Sequence, residues 1–226
     1  MTIRNGNTSE NPEKRQENPE KRQAILQQAI LTFAELGFRG TDVQRIADRA
    51  GVGKGTIYRY FGSKEDLFWA TTYDVLLRLE RAMDEATKNA DGVCAKIRAV
   101  ALAYATFFEA KPEYIEIFVQ DRAEFRGSAP ESHRQHHQRM IARFDEVLQH
   151  GIESGELRPI DPHQTTLTLG NLLFGSIVLG CHLAPISAVQ MAKYAIDIFL
   201  NGIRATVSHD EGGIIASSCS IGSQNV

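Results

Sequence analysis

The chain has 226 residues, of which 42% are hydrophobic and 23% are charged, a composition typical of soluble globular proteins. This length allows one large domain or two small ones, and the formal net charge of −3 excludes a uniformly basic protein that coats nucleic acid. The charge is uneven, because residues 1–64 carry 11 basic and 7 acidic side chains, whereas residues 65–226 carry 14 and 21. A basic N-terminal part on an acidic body favours a polyanionic partner, and scattered surface charge is the alternative.

The cysteines and the hydropathy both favour an intracellular setting. The three cysteines are odd in number and far apart, which argues against a disulfide framework or a structural zinc site. Residues 1–23 are polar and lack the features of a signal peptide. The longest apolar stretch, residues 167–183, is interrupted by Asn171 and three glycines and is too short for a membrane span. We therefore expect a cytoplasmic protein.

The N-terminal residues predict a polar arm that contains a tandem repeat. Residues 1–19 have no apolar periodicity and are expected to be disordered. The heptad ENPEKRQ occupies residues 10–16 and again residues 17–23. It is either a local duplication that lengthens the arm or a source of positive charge near a DNA groove, through Lys14, Arg15, Lys21 and Arg22.

Residues 20–61 predict three helices. An apolar stripe at helical spacing ends at Gly37, a residue typical of helix C-termini. Thr41 is expected to cap the second helix and to form a capping box with Gln44. A short third helix is predicted over residues 53–61.

Six longer helices follow, so the chain is predicted to be all-α with about nine helices. Ser63 and Asp66 cap the first of the six, which runs to about residue 87. The other five are predicted at residues 93–110, 112–125, 130–150, 163–183 and 187–207. Residues 208–226 are rich in serine and glycine and are expected to be disordered.

The most informative segment is TDVQRIADRAGVGKGTIYRYF at residues 41–61, two short helices joined by a tight turn. Ile57 and Phe61 are expected to point inward, together with part of Tyr60; Tyr60 and Gly53 are nevertheless included among the predicted DNA contacts. The outward residues are small, hydroxylated, basic or aromatic, which suits insertion into a major groove: Lys54, Gly55, Thr56, Tyr58 and Arg59. A helical hairpin inside an ordinary bundle would show the same periodicity.

Residues 20–70 resemble the DNA-binding domain of the TetR family of transcriptional regulators. The resemblance rests on an ordered set of short matches. They are Phe33…Gly37, the Thr41 start, Ile46-Ala47, Ala50-Gly51-Val52, Lys54-Gly55-Thr56-Ile57-Tyr58, Tyr60-Phe61 and Ser63-Lys64-Glu65-Asp66-Leu67. The rest of the chain matches the family only in the number and length of its helices.

The resemblance implies a homodimer that binds operator DNA and an unknown small-molecule effector, as a repressor released from a palindromic site. It implies a DNA-binding head at residues 20–66 and a ligand-binding and dimerisation body at 67–207, which lie between the arm at 1–19 and the tail at 208–226 that the composition predicts. Equivalents of Tyr58, Lys64 and Thr41 contact phosphates in the family, whereas residues at the positions of Lys54, Thr56 and Arg59 face base edges. One departure is Gly53, which stands where a serine or threonine is common; glycine still caps a helix, but a hydroxyl contact to phosphate is lost.

The body offers candidates for a ligand pocket and for a dimer interface. The pocket candidates are aromatic or polar residues that suit an apolar or planar ligand, although each of them also suits plain core packing: Tyr104, Phe107, Phe108, Tyr114, Phe118, Phe125, His137 and Phe144. The family's last two helices form a four-helix dimer interface, to which we assign Leu169, Leu173, Phe174, Ile177, Val178, Ile196 and Phe199.

Two other interpretations of the sequence compete with that of a DNA-binding regulator. His133 and His137 lie one helical turn apart, a spacing that suits a metal, but a solvated helix end is favoured and no metal or cofactor is expected. An enzyme on a helical bundle, or a ligand-binding protein without DNA-binding activity, is the alternative function. The chain contains neither a G-x-x-x-x-G-K phosphate loop nor an H-E-x-x-H zinc motif, so an enzyme is not expected.

Overall fold

The computed structural model describes residues 18–125, 128–183 and 186–204. Within these ranges the chain forms nine α-helices, and the only β-type pairing is an isolated bridge between Leu157 and Arg204. The helices are α1 Pro19–Gly40, α2 Val43–Arg49, α3 Lys54–Phe61, α4 Lys64–Thr87, α5 Val93–Ala110, α6 Pro112–Phe125, α7 Glu131–Glu153, α8 Pro162–Leu183 and α9 Ala188–Ile203. The all-α prediction is confirmed.

The first helix begins earlier than predicted. The Asn18 side chain accepts a hydrogen bond from the Lys21 amide and Pro19 occupies the first turn, so the second ENPEKRQ copy starts α1. Residues 1–17 of the predicted arm lie outside the described residues. Residues 205–226, which comprise the end of the last predicted helix and the tail, also lie outside them.

Gly37 ends the regular part of α1, as its position in the sequence predicts. Its φ of +73° breaks the helix and turns the chain toward α2. The cap of α2, however, is not Thr41. Asp42 accepts from the amide of Gln44, whereas Thr41 is buried and donates its hydroxyl to the carbonyl of Gly37 at 2.7 Å. The capping-box prediction was wrong by one residue, because Thr41 stabilises the turn that precedes the helix.

The head and the body share α4, a 24-residue helix that continues across the expected boundary at residue 66. It packs on α1 and α3 and also on α5 and α6. In the body, α5 packs on α9, α8 packs on α7 and α9, and α6 lies against α1. The buried apolar side chains form one cluster that extends from Ile25 in the head to Ile203 in the body.

Helix α7 continues past Gly151, where the sequence predicts a stop. The glycine is buried, and the chain runs on as helix to Glu153 before it turns at Gly155. A Cβ atom on Gly151 would lie 2.8 Å from Cδ1 of Leu157 and 2.9 Å from Cγ1 of Val93. The glycine is therefore required by close packing of α7 against the start of α5.

None of the helices in the described ranges is long and apolar enough to cross a membrane.

We predict that Gly151→Ala destabilises the protein by about 1–3 kcal/mol, because the new methyl group overpacks a contact made by Leu157 and Val93. Urea unfolding followed by circular dichroism measures the change. Gly202→Ala is the matched control, since a Cβ at that helical position meets nothing within 4 Å. Equal stability of the two variants would contradict the overpacking argument.

Candidate nucleic-acid interface and effector groove

The recognition helix α3 has only eight residues and is held by two buried side chains. Ile57 is fully buried and Phe61 is 9% exposed, and both belong to the apolar core of the head. A turn with Gly51 at φ +64° connects α2 to α3, and the amide of Val52 donates to the carbonyl of Ala47 at 3.0 Å. These contacts fix the direction of a helix that would be unstable in isolation.

The opposite face of α3 is open to solvent. Gly55, Tyr58 and Arg59 are exposed, and Lys54 and Thr56 are half-buried. Tyr58 is 41% exposed. The sequence places these residues outward, and the structure brings all five to one face.

Lys54 is not a free cation. Its Nζ donates to Oδ1 of Asp42 at 2.9 Å, and the same oxygen accepts from the Gln44 amide at 2.9 Å. The Gln44 amide and then the Lys54 ammonium lower the pKa of Asp42, and the Asp42 carboxylate raises the pKa of Lys54. Sequence reasoning missed Asp42; its signal was an acidic residue two positions before Gln44, a spacing typical of N-caps.

Three further predicted DNA contacts have defined partners within the head. Thr41 is buried, with its hydroxyl committed to α1. The hydroxyl of Tyr60 accepts from the amide of Asn18 at 3.1 Å. Nζ of Lys64 lies 4.7 Å from the ring centroid of Phe38 and stays half-exposed. Gly53 caps α3 without a side-chain hydrogen bond. Of these four, Lys64 retains a charged group that can reach outward.

The N-terminal repeat also contacts the recognition helix. The guanidinium of Arg22 lies 5.2 Å from the ring centroid of Phe61, a cation–π contact. Together with the hydrogen bond from Asn18 to Tyr60, it joins the start of α1 to the end of α3. Lys21 is exposed on the first turn of α1.

Five of the eight predicted pocket residues meet in one aromatic cluster on α5 and α6. Ring centroids lie 4.9 Å apart for Tyr104 and Phe108, 5.0 Å for Phe107 and Tyr114, and 5.9 Å for Phe108 and Phe118. Burial raises the pKa of Tyr104, so its hydroxyl stays neutral. Phe108 and Tyr114 are buried, and the other three are half-buried.

The other three predicted pocket residues lie elsewhere. Phe125 packs between head and body, 4.9 Å from Phe38 and 4.6 Å from Trp69 between ring centroids. Phe144 is half-buried on α7, and His137 is exposed there.

An open groove of about 660 Å³ runs beside the aromatic cluster, between α4 and α5. Half of its lining residues are alanines, and the lining includes two predicted residues, Phe107 and Tyr114. The full lining is Ala82, Ala86, Ala99, Leu102, Ala103, Thr106, Phe107, Ala110, Lys111 and Tyr114. Lys111 is the charged residue among these, and its Nζ lies 4.0 Å from a carboxylate oxygen of Glu113.

The histidines of α7 contact α4. Nε2 of His133 lies 2.9 Å from the carbonyl oxygen of Trp69, and Nε2 of His136 lies 3.3 Å from a carboxylate oxygen of Glu80. Among the described residues no group of three or more histidine, cysteine or acidic side chains is placed to hold a metal ion. His133 and His136 thus join α7 to α4.

The residues assigned to a dimer interface divide into two sets. Four are already buried inside the single chain, with at most 4% exposure: Leu169, Leu173, Ile177 and Ile196. Phe174, Val178 and Phe199 are half-buried. Among the side chains of α8 and α9 whose burial is described, the large apolar ones that remain exposed are Leu167, Leu172, Tyr194 and Ile198.

Comparison with known proteins matches both parts of the chain. Residues 25–71 match the model of bacterial regulatory proteins, tetR family, and residues 90–177 match that of the tetracyclin repressor-like C-terminal domain. The uncharacterized HTH-type transcriptional regulator YhgD of Bacillus subtilis is 30% identical over 68% of this chain and 80% of its own length. The HTH-type transcriptional repressor KstR2 of Mycolicibacterium smegmatis is 28% identical, over 79% of this chain and 88% of its own length.

Solved structures share the fold. The ketosteroid transcriptional regulator KstR2 of Mycobacterium tuberculosis aligns with a TM-score of 0.64 and 24% identity over 82% of this chain and 96% of that one. FadR of Bacillus subtilis in complex with stearoyl-CoA aligns with a TM-score of 0.70 and 21% identity over 80% and 99%. The chain belongs to the tetR family of bacterial regulatory proteins and is a DNA-binding transcriptional regulator.

Proposed function

We propose that this regulator is a cytoplasmic homodimeric repressor that binds a palindromic operator and is released by an apolar small molecule. The observation that carries the proposal is the solvent-facing polar surface of α3 on a helix anchored by Ile57 and Phe61. A rigid helix with exposed basic, hydroxyl and aromatic groups suits the major groove. The named repressor among its relatives supports repression.

In this proposal, α3 contacts bases and the surrounding cations contact phosphates. Thr56 and Arg59 face base edges, and Arg59 suits the O6 and N7 acceptors of guanine. Tyr58 and Lys64 contact phosphates and set the position of the head on the duplex. Thr41 and Tyr60 act indirectly by holding the two helices, because their hydroxyl groups are engaged within the head.

The dimer is proposed to form through the outer faces of α8 and α9. Tyr194 is 70% exposed and Ile198 is 59% exposed, one turn apart on α9. Leu167 and Leu172 extend this apolar face onto α8. The buried residues first assigned to the interface support it from beneath by packing α8 on α9. Two-fold pairing of this face would place two recognition helices for a palindromic site.

The effector is proposed to occupy the groove between α4 and α5. An apolar chain would lie on the alanines, and an acidic head group would lie near Lys111. Acyl-CoA complexes of proteins with this fold, such as that of FadR with stearoyl-CoA, make an acyl thioester a reasonable first probe.

A short chain of contacts links this groove to the head. Tyr114, which lines the groove, accepts a hydrogen bond from Arg78, and Arg78 also reaches Gln27 of α1. Farther along α6, Nε2 of Gln120 donates to the carbonyl of Phe33 at 2.8 Å. A ligand that binds more tightly to one arrangement of α6 on α1 would shift the spacing of the heads.

For the phosphate role, we predict that Lys64→Met weakens binding to all duplexes about equally. The methionine retains the contact with Phe38 and removes the charge, so the slope of log K against log salt falls by about 0.9 per subunit. Fluorescence anisotropy at several salt concentrations measures the slope. Lys88→Met, at the far end of α4, is the control, and an unchanged slope for Lys64→Met would argue against a phosphate contact.

For the dimer, we predict that the double variant Tyr194→Asp, Ile198→Asp sediments as a monomer at micromolar concentration and loses operator binding. Two carboxylates in an apolar interface cannot be paired there. Gln190→Asp, on an exposed position of the same helix, should leave the dimer intact. A variant that remains dimeric would place the interface elsewhere.

For the effector, we predict that stearoyl-CoA raises the melting temperature and releases the protein from upstream intergenic DNA, whereas coenzyme A alone does neither. At 100-fold excess over Kd the stabilisation is about 2.7 kcal/mol, or roughly 5–10 °C. Ala103→Trp fills the groove and should abolish the shift, and Ala142→Trp on the exposed face of α7 should not. An unchanged shift in Ala103→Trp would exclude the groove.

A further inference from the structure

We propose that Asp42 and Lys54 read one G·C base pair in each half of the operator as a joint donor–acceptor pair. Lys54 would donate to both O6 and N7 of guanine, and Asp42 would accept from N4 of the paired cytosine. The inference rests on the proposed DNA-binding function and adds Asp42 as a specificity-determining residue.

The two side chains are joined at the outer edge of the helix-turn-helix. Nζ of Lys54 lies 2.9 Å from Oδ1 of Asp42, and that oxygen also accepts from the Gln44 amide. The side chains are 39% and 68% exposed. Because both contacts use Oδ1, Oδ2 keeps its acceptor capacity, and two N–H groups of the ammonium remain available for an external partner.

This arrangement complements the major-groove edge of a G·C pair. There the O6 acceptor of guanine and the N4 donor of cytosine stand side by side, about one hydrogen-bond length apart. Lys54 and Asp42 likewise present donors beside an acceptor and are joined at 2.9 Å through Oδ1. An A·T pair in either orientation lacks two adjacent acceptors beside a donor, because the N6 donor of adenine lies between N7 and the O4 of thymine, and the other neighbour of O4 is the methyl group.

The backbone around Lys54 leaves room for a base. Gly53 and Gly55 flank the lysine, and a Cβ atom built on either meets nothing within 4 Å. Neither glycine has a positive φ, so neither the local conformation nor internal packing requires it. Absence of a side chain at both positions permits close approach of an outside molecule to the start of α3.

The charge of the pair also favours base recognition over phosphate attraction. Mutual stabilisation keeps both groups ionised, as their opposite pKa shifts indicate, and their net charge is zero. A neutral pair adds little to non-specific attraction for the duplex, which depends on unpaired cations. Its contribution is therefore selective, through the geometry of its hydrogen bonds.

The test is selection of randomised duplexes by the full-length protein, followed by affinity measurements on single-base variants of the selected site. Wild-type protein should select a palindrome with a G·C pair preferred about 5- to 150-fold in each half. Asp42→Asn keeps a good helix cap and should lose this preference at that base pair. Lys54→Gln should shift the same position toward A·T, because glutamine pairs with adenine. The control is Asp48→Asn, which replaces an exposed acidic residue on α2, the helix that Asp42 caps.

The outcomes separate this inference from the proposed function. If Asp42→Asn raises affinity for all duplexes and steepens the salt dependence, Asp42 only neutralises Lys54 and the inference is overturned. Changes at two different base pairs would overturn it as well. If wild-type protein selects no palindrome and binds no duplex in a salt-dependent way, the proposed function itself fails.

Discussion

The burial of Ile57 and Phe61 is the contact on which the position of α3 depends. Eight residues are too few to form a stable helix alone, so the direction of the exposed side chains is set by these two anchors. The anchors pack in a head whose core is continuous with that of the body. A rearrangement of the body can therefore move the recognition helix as a unit, because the helix has no independent fold.

The junction between head and body combines apolar and polar contacts. The apolar part is an aromatic cluster of Phe38, Phe68 and Phe125, whose ring centroids lie about 5 Å apart and pack the junction. Beside it, Arg39 pairs with Glu124 at 2.7 Å across the same junction. The arginine is 84% exposed, so this ion pair sets geometry more than stability. Helix α6 is thus attached to α1 over most of its length.

Much of this architecture is predictable from local patterns. Gly37 and Ser63 act at their predicted places because a helix end depends on backbone conformation and on hydrogen bonds close in sequence. The helix end predicted at Gly151 was wrong, because the residues that pack on this glycine, Val93 and Leu157, belong to other segments of the chain. The predicted cap residue of α2 was wrong at Thr41, because a threonine hydroxyl can stabilise a turn as well as cap a helix.

The sites were harder to predict than the helices. An apolar residue such as Leu169 has the same pattern whether it faces its own chain or a partner, so periodicity could not separate interface from core. The groove likewise depends on alanines, which carry no chemical signature in a sequence. Asp42 was overlooked because its partner, Lys54, is twelve residues away and meets it only after the turn forms.

The contacts of Asn18 and Arg22 with α3 have a consequence for the tandem heptad. Deletion of residues 10–16 would leave the sequence from Glu17 onward unchanged, with the same cap for α1 and the same guanidinium over Phe61. The copy adjacent to the head is therefore the one whose asparagine and arginine hold the start of α1 against the end of α3.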